Sequence, residues 1–227
     1  AMVGSPVPMV IGTDFDGLAR EIEQRTGVPA FGFFTNGTQP YPAGVAAACI
    51  AVIDRFAGEK AEKVRNSVNI LGVTPLDMGR GNLDGLKAFV ERQGYTINCC
   101  CATDWTMDTL SRIGAAQFNL AVTQAGVEIA RHLERKFGTP WLAGAPVGEE
   151  GAKELAERMR RCASGEPVDA LPEVCESADA LVAGDWAQGA WKSPNTQCPA
   201  GSIASGCSLI NTLVMFWPMN ERKDSTP

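Results

Sequence analysis

The chain is 227 residues long, 45% hydrophobic and 20% charged, with a formal net charge of −6. That size and composition allow one large or two small packed domains and exclude global disorder. The interspersed, net acidic charge argues against a nucleic-acid surface, which needs a basic stripe, and no apolar run reaches the roughly eighteen residues of a membrane helix. Residues 1–11 lack the basic start and cleavage pattern of a signal peptide, so the expected compartment is the cytoplasm.

Residues 2–11 form an apolar, proline-containing run read as an initial strand and its approach loop. Thr13 or Asp14 is placed to cap the next helix, which stops at Gly27. The short apolar stretch 28–34 reads as a strand, the turn formers of 35–42 as a loop, and the alanine-rich stretch 43–56 as a helix. Residues 58–65 are polar and charged and mark the best boundary between two halves. The pattern then restarts, with strands over 68–73, 95–100, 118–122 and 140–143 and helices over 82–92, 104–113, 125–137 and 149–162. A further strand is expected over 180–183. Alternating strands and helices imply parallel pairing with right-handed crossovers. From residue 191 onward Ser, Asn, Pro, Gly, Cys and Trp dominate, and periodicity fades apart from an apolar stretch at 209–217.

One phrase recurs. Ala19, Arg20, Glu23, Gly27 and Pro29 reappear in identical register as Ala130, Arg131, Glu134, Gly138 and Pro140, with a weaker echo over 89–97. Each copy is an amphipathic helix closed by a glycine and followed by an apolar strand, the unit of a parallel α/β layer. The fold class is therefore α/β, with two Rossmann-like parallel βα layers over 1–64 and 65–190 and an irregular tail over 191–227.

In open parallel sheets, ligands bind beyond the carboxyl ends of the strands. The loops of interest are 35–41, 74–81, 99–104, 122–126 and 144–148. Residues Met78 to Asn82 offer glycine-flanked amides and Arg80 near a helix start, read either as an anion site or as a plain turn. No phosphate loop or dinucleotide fingerprint follows a strand. Eight cysteines are present, none in a Cys-x-x-Cys pair, and the sole histidine is His132. Cys99, Cys100 and Cys101 end a strand and are the metal-ligand candidates. Alternation sends neighbouring side chains to opposite faces, so at most alternate thiols share one; buried, reduced thiols are the competing reading. His132, among Arg131, Glu134 and Arg135, is expected to be solvated. Asp14/Asp16 and Glu149/Glu150 sit at helix starts, where capping is their expected role.

Taken in order, the elements resemble the nitrogenase component 1 family, which includes molybdenum–iron protein subunits, cofactor-assembly scaffolds and light-independent protochlorophyllide reductase subunits. The phrases that carry the resemblance are Val10 to Gly17, Gly27-Val28-Pro29, Thr35-Asn36-Gly37, Val68 to Gly72, Phe118 to Val122, Arg131 to Trp141 and Pro146-Val147-Gly148. The resemblance implies an oxidoreductase subunit carrying an iron–sulfur or related metallocluster, associating as a homo- or hetero-oligomer with a related subunit. It further implies electrons from an ATP-dependent iron–sulfur reductase, without nucleic acid or membrane. Against the family pattern, Ser5-Pro6 stands where many members have a cysteine, and Val45 follows Gly44 where the molybdenum–iron catalytic subunit has a histidine. The cofactor-ligating cysteine of that subunit falls near Val122 and Thr123. The expected protein is thus a divergent, nitrogenase-like chain lacking an upstream cysteine-bearing domain and inactive by itself. The alternative is a non-catalytic scaffold that holds a cluster precursor or small molecule in the cleft between layers.

Overall fold

The computed structural model describes residues 1–171 apart from Phe34, Asn36, Thr38, Lys60 and Ala61. The strand expected over 180–183, the segment 191–227, and Cys175, Cys198 and Cys207 lie outside the described residues.

The first layer is small. Strands β1 (Met2–Val3) and β2 (Gly32–Phe33) pair in parallel, Met2 opposite Gly32 and Val3 opposite Phe33. Within the run expected to be a strand and its approach loop lies instead a short helix, α1 (Pro6–Val10). Ser5 supplies the extended conformation of an N-cap, and Pro6 sits in the first turn, where its missing N–H breaks no helical bond. No residue of α1 is buried. Helix α2 (Phe15–Thr26) starts where Asp14 accepts a 2.8 Å hydrogen bond from the Gly17 amide. Gly27 closes it at φ 69°, and Gly138 closes the equivalent helix α6 (Gln124–Phe137) at φ 67°, the left-handed conformation that glycine adopts without steric cost. The strand expected over 28–34 contracts to β2, because a two-stranded sheet offers little surface to bury a longer one. Helix α3 (Tyr41–Phe56) begins two residues before the expected start, with Pro42 in its first turn.

The second layer is a four-stranded parallel sheet in the order β4-β3-β5-β6, made of β3 (Val64–Leu71), β4 (Thr96–Cys100), β5 (Ala116–Ala121) and β6 (Trp141–Ala143). Its helices are α4 (Arg80–Arg92), α5 (Met107–Ser111), α6 and α7 (Gly148–Ser164). Strand β3 begins at Val64, so the division expected after residue 64 falls on the strand's first residue. The helix expected over 104–113 shortens to α5 and a 3-10 turn, Ile113–Ala115.

Both faces of this sheet are covered, so its strands bury side chains on either side. Leu71, Cys99, Ala121 and Ala143 pack with Ile129, Leu133 and Phe137 of α6 on one side. Val68, Ile70, Phe118, Leu120 and Leu142 pack with Leu83, Leu86, Leu155 and Met159 of α4 and α7 on the other. Ala46, Cys49 and Ile53 of α3 join the first of these cores, so a helix of the first layer seals the second. Within that face Asn98 donates to Asn69 Oδ1 at 2.8 Å, and Asn69 donates to Asn119 Oδ1 and to the Ile113 carbonyl, both at 2.8 Å. The pairing of β3 with β4 skips Asn98, a bulge immediately before Cys99. No helix among the described residues is long and apolar enough to cross a membrane.

Candidate functional site

Strand β3 feeds α4 on one face of the sheet and β5 feeds α6 on the other, so a topological switch lies between their carboxyl ends, the place where such sheets open a crevice. Close to the sheet the chain's own atoms fill it. Thr123 caps α6 by accepting from the Gly126 amide at 3.2 Å and donates to the Gly72 carbonyl at 2.8 Å. A Cβ at Gly72 would lie 2.3 Å from Thr123 Oγ1, and one at Gly126 would lie 2.4 Å from the Leu71 carbonyl oxygen. Only glycine permits helix and strand to approach this closely.

Farther out the loops carry hydroxyls. Thr74 donates to Asp77 Oδ2 at 2.7 Å, and the Tyr41 and Thr74 hydroxyl oxygens are 2.6 Å apart. Because the Thr74 proton goes to Asp77, Tyr41 is the donor of that bond. Tyr41 opens α3, whereas Thr74 and Asp77 follow β3, so this chain of hydrogen bonds ties the two layers at the cleft. On the first layer's side Thr35 Oγ1 donates to the Gly4 carbonyl at 2.6 Å; on the second, Thr103 Oγ1 donates to the Val73 carbonyl at 2.5 Å. The sequence singles out the loops 35–41 and 74–81 but not Tyr41, Thr74 and Asp77. Their association spans two layers, and no local spacing signals it.

Cys99, Cys100 and Cys101 are 1%, 2% and 0% exposed. Alternation sorts them: Cys99 and Cys101 enter the core under α3 and α6, and Cys100 enters the core under α4 and α7. Burial pushes the Cys99 thiol up to about 12, against a hydrogen bond with Thr109, and the Cys100 thiol up to about 11, against the nearby charge of Lys87. Both are therefore protonated thiols at neutral pH, while a metal takes the thiolate. Among the described residues no group of three or more His, Cys, Asp or Glu side chains is arranged to hold a metal ion. Split between two faces of the sheet, these three thiols do not fit a single cluster.

The other candidates resolve individually. Gly79 is the N-cap of α4, so Met78 to Asn82 form a strand–helix turn, with Met78 buried beneath it. His132 is not solvated as expected: its Nε2 lies 2.9 Å from Asp54 Oδ1, and Lys136 donates to the same oxygen at 2.7 Å. These bonds clamp α6 to α3, since the register that buries Ile129 and Leu133 turns His132 towards the neighbouring helix. Asp16 lies in the first turn of α2, as Glu149 and Glu150 do in α7, where the helix dipole favours them, and Lys153 pairs with Glu149 at 2.8 Å.

Comparison with known proteins supplies the context for this geometry. A model of the family described as nitrogenase component 1 type oxidoreductase matches residues 1–183. The chain is 36% identical over 99 residues to a subunit of the light-independent protochlorophyllide reductase of Prosthecochloris aestuarii, a stretch covering 43% of this chain and 19% of that protein. It is 26% identical over 157 residues to the nitrogenase molybdenum-iron protein alpha chain of Clostridium pasteurianum, covering 67% of this chain and 29% of that one. A solved structure titled nitrogenase Cp1 at pH 6.5 superposes with a TM-score of 0.60 over 70% of this chain and 31% of its own, at 24% identity, and shares the fold. The chain thus spans from about a fifth to just under a third of the length of these relatives. With its paired parallel layers and a family match over most of its length, the chain belongs to the nitrogenase component 1 type oxidoreductases.

Proposed function

We propose that this chain forms two βα layers of a nitrogenase-like oxidoreductase subunit, in which electrons pass through a metallocluster held largely by regions outside residues 1–171. The family match over residues 1–183 carries this reading. The donor chemistry supports its second half, because Thr35, Val45, Val122 and Thr123 stand where the family pattern calls for thiolate or imidazole, and the five described cysteines are buried in the cores on the two faces of the sheet. The partners that go with it are a related subunit and a separate ATP-dependent iron–sulfur reductase, in the cytoplasm.

The cleft bridged by Tyr41, Thr74 and Asp77 favours a second reading, a scaffold that holds a cluster precursor or small molecule between the layers. Anaerobic purification of the chain, with iron analysis, absorption and electron paramagnetic resonance, tests both. The chain by itself should bind little iron. A stoichiometric cluster that disappears in a Cys99→Ala, Cys100→Ala, Cys101→Ala triple variant would overturn the placement of the cluster elsewhere. Co-purification with a related chain that restores a paramagnetic signal supports the redox reading, and a colourless complex supports the scaffold.

A further inference from the structure

We infer that two copies of this chain associate through the apolar face of the first layer, in a symmetric dimer centred on α1. Among the described residues, seven of the eleven exposed large hydrophobic side chains lie between residues 3 and 28. Val7, Val10 and Ile11 are 70%, 86% and 72% exposed, and their spacing of three and four places them on one side of α1. The helix rests on the chain through its first residue, since a Cβ at Gly37 would lie 2.9 Å from Pro6 Cγ. The Thr13 amide then donates to the Pro8 carbonyl at 2.9 Å, in the turn that leads into α2. There Phe15 and Ala19 are buried, but Leu18 and Ile22 beside them are exposed, and nothing beyond Ala19 is buried. The cause is length. Twelve helical residues run roughly 18 Å, and the two-residue strands β1 and β2 run roughly 7 Å, so the sheet cannot cover the helix.

Charge and area select a second copy as the occupant. Residues 1–13 contain no charged side chain, so two such faces meet without burying an unpaired charge. The rim carries both signs, with Arg25 and Glu21 of α2 paired at 2.6 Å, and so does not repel its own copy. A two-fold axis sets Val7, Val10 and Ile11 of one α1 against the same residues of the other, and an interface of this kind closes on itself at two chains. From the transfer energies of aliphatic side chains, the seven residues expose roughly 250–500 Å2 of apolar surface per copy. At the apolar share usual in homodimer interfaces, two such faces bury roughly 800–1,500 Å2 in total, which spans the weak to the standard size. That area fits a micromolar rather than a nanomolar dimer. The association involves no metal, so it stands or falls separately from the cluster reading.

The test is sedimentation velocity of the full chain under reducing conditions, from about 1 to about 100 μM, paired with hydrogen exchange at both ends of that range. The chain should pass from one to two chain masses, and amides of residues 3–11 should gain protection as it does. Val10→Glu and Ile11→Lys each place a charge at the centre of the contact and should weaken association by roughly 100-fold or more. Both side chains are exposed, so the Tm measured on the monomer should stay within about 2 °C of the parent. Leu76→Glu is the control, because Leu76 is equally exposed but follows β3 in the second layer, and it should leave the dimer intact. Concentration-dependent exchange in the unsubstituted chain decides the matter even where a variant folds poorly. A chain that stays monomeric at the highest concentration would overturn the proposal. So would a dimer that survives Val10→Glu, a dimer lost equally in Leu76→Glu, or open-ended aggregation. Protection of residues 3–11 that does not change with concentration would assign the face to another segment of the same chain and would also overturn it.

Discussion

Gly126→Ala should separate α6 from the sheet it covers. The added methyl would sit 2.4 Å from the Leu71 carbonyl oxygen, 2.9 Å from its carbon and 3.3 Å from the Ala121 Cα, all backbone atoms that cannot rotate aside. Ordinary contact requires the start of the helix to retreat by about 1 Å, a gap that removes a quarter to a half of the dispersion energy across it. Retreat also strains the bond in which Leu71 accepts from the Val122 amide at 3.1 Å and the cap that Thr123 makes on Gly126 at 3.2 Å. Overpacking of this kind costs about 3 kcal/mol, of which up to 1 kcal/mol is returned by alanine's helix preference. A net loss of about 2 kcal/mol lowers Tm by roughly 4–8 °C in a domain of this size. Gly85 of α4 and Gly151 of α7 provide the control, because a Cβ at either position meets nothing within 4 Å. Alanine there should stabilise by about 0.5–1 kcal/mol each. Calorimetric melts of the three variants compare one chemical change at one tight and two open sites. A Gly126→Ala protein as stable as the Gly85→Ala protein would refute the close-packing argument.

Three further predictions concern bonds that join elements. Burial raises the Asp54 carboxyl, but hydrogen bonds from Lys136 and His132 outweigh it and hold the group below its ordinary value of 3.8. Its contribution to stability is therefore fully present above that value and is lost as pH falls through the lower folded value. Asp54 is half exposed, so the clamp is worth about 0.5–1 kcal/mol, and urea titrations from neutral pH down through this range should show it disappear in the parent but not in Asp54→Asn. Arg158 donates to the Ala143 carbonyl at 2.9 Å and to the Asp169 carbonyl at 2.7 Å, so Arg158→Met should accelerate hydrogen exchange over 166–171 while leaving β5 protected. Asn69→Leu removes the shared partner of Asn98, Asn119 and Ile113 and should destabilise by about 2–4 kcal/mol in denaturant melts, against under 1 kcal/mol for a surface substitution.

What could be read from the sequence follows from how much each segment buries. In the second layer the strand and helix patterns are strong because every strand has two covered faces, and the ends are marked by local chemistry such as Gly138 after α6. In the first layer the same signals mislead. Residues 6–10 have strand-like composition, yet a two-stranded sheet gives them nothing to pair with, and Pro6 and Ser5 suit a helix start. The alternation of Cys99, Cys100 and Cys101 is legible because it depends on one strand's geometry alone. The entry of Cys49 into the same core as Cys99 and Cys101 is not, since it depends on how α3 docks on the second layer.

Thr123 shows most directly how the fold constrains the site. It stands at the end of β5, where the resemblance places a ligating cysteine, and a hydroxyl there could in principle still bind a ligand. Its proton goes to the Gly72 carbonyl, and its oxygen accepts from the Gly126 amide. With burial to 3% exposure, both functions of the hydroxyl serve the joint between β3, β5 and α6. A thiol at this position would be a weaker donor and acceptor and would cap α6 less well. The residue is therefore one that secures the scaffold at the point where the family pattern places chemistry. Beside this joint, the polar link between the two layers is the bridge from Tyr41 through Thr74 to Asp77.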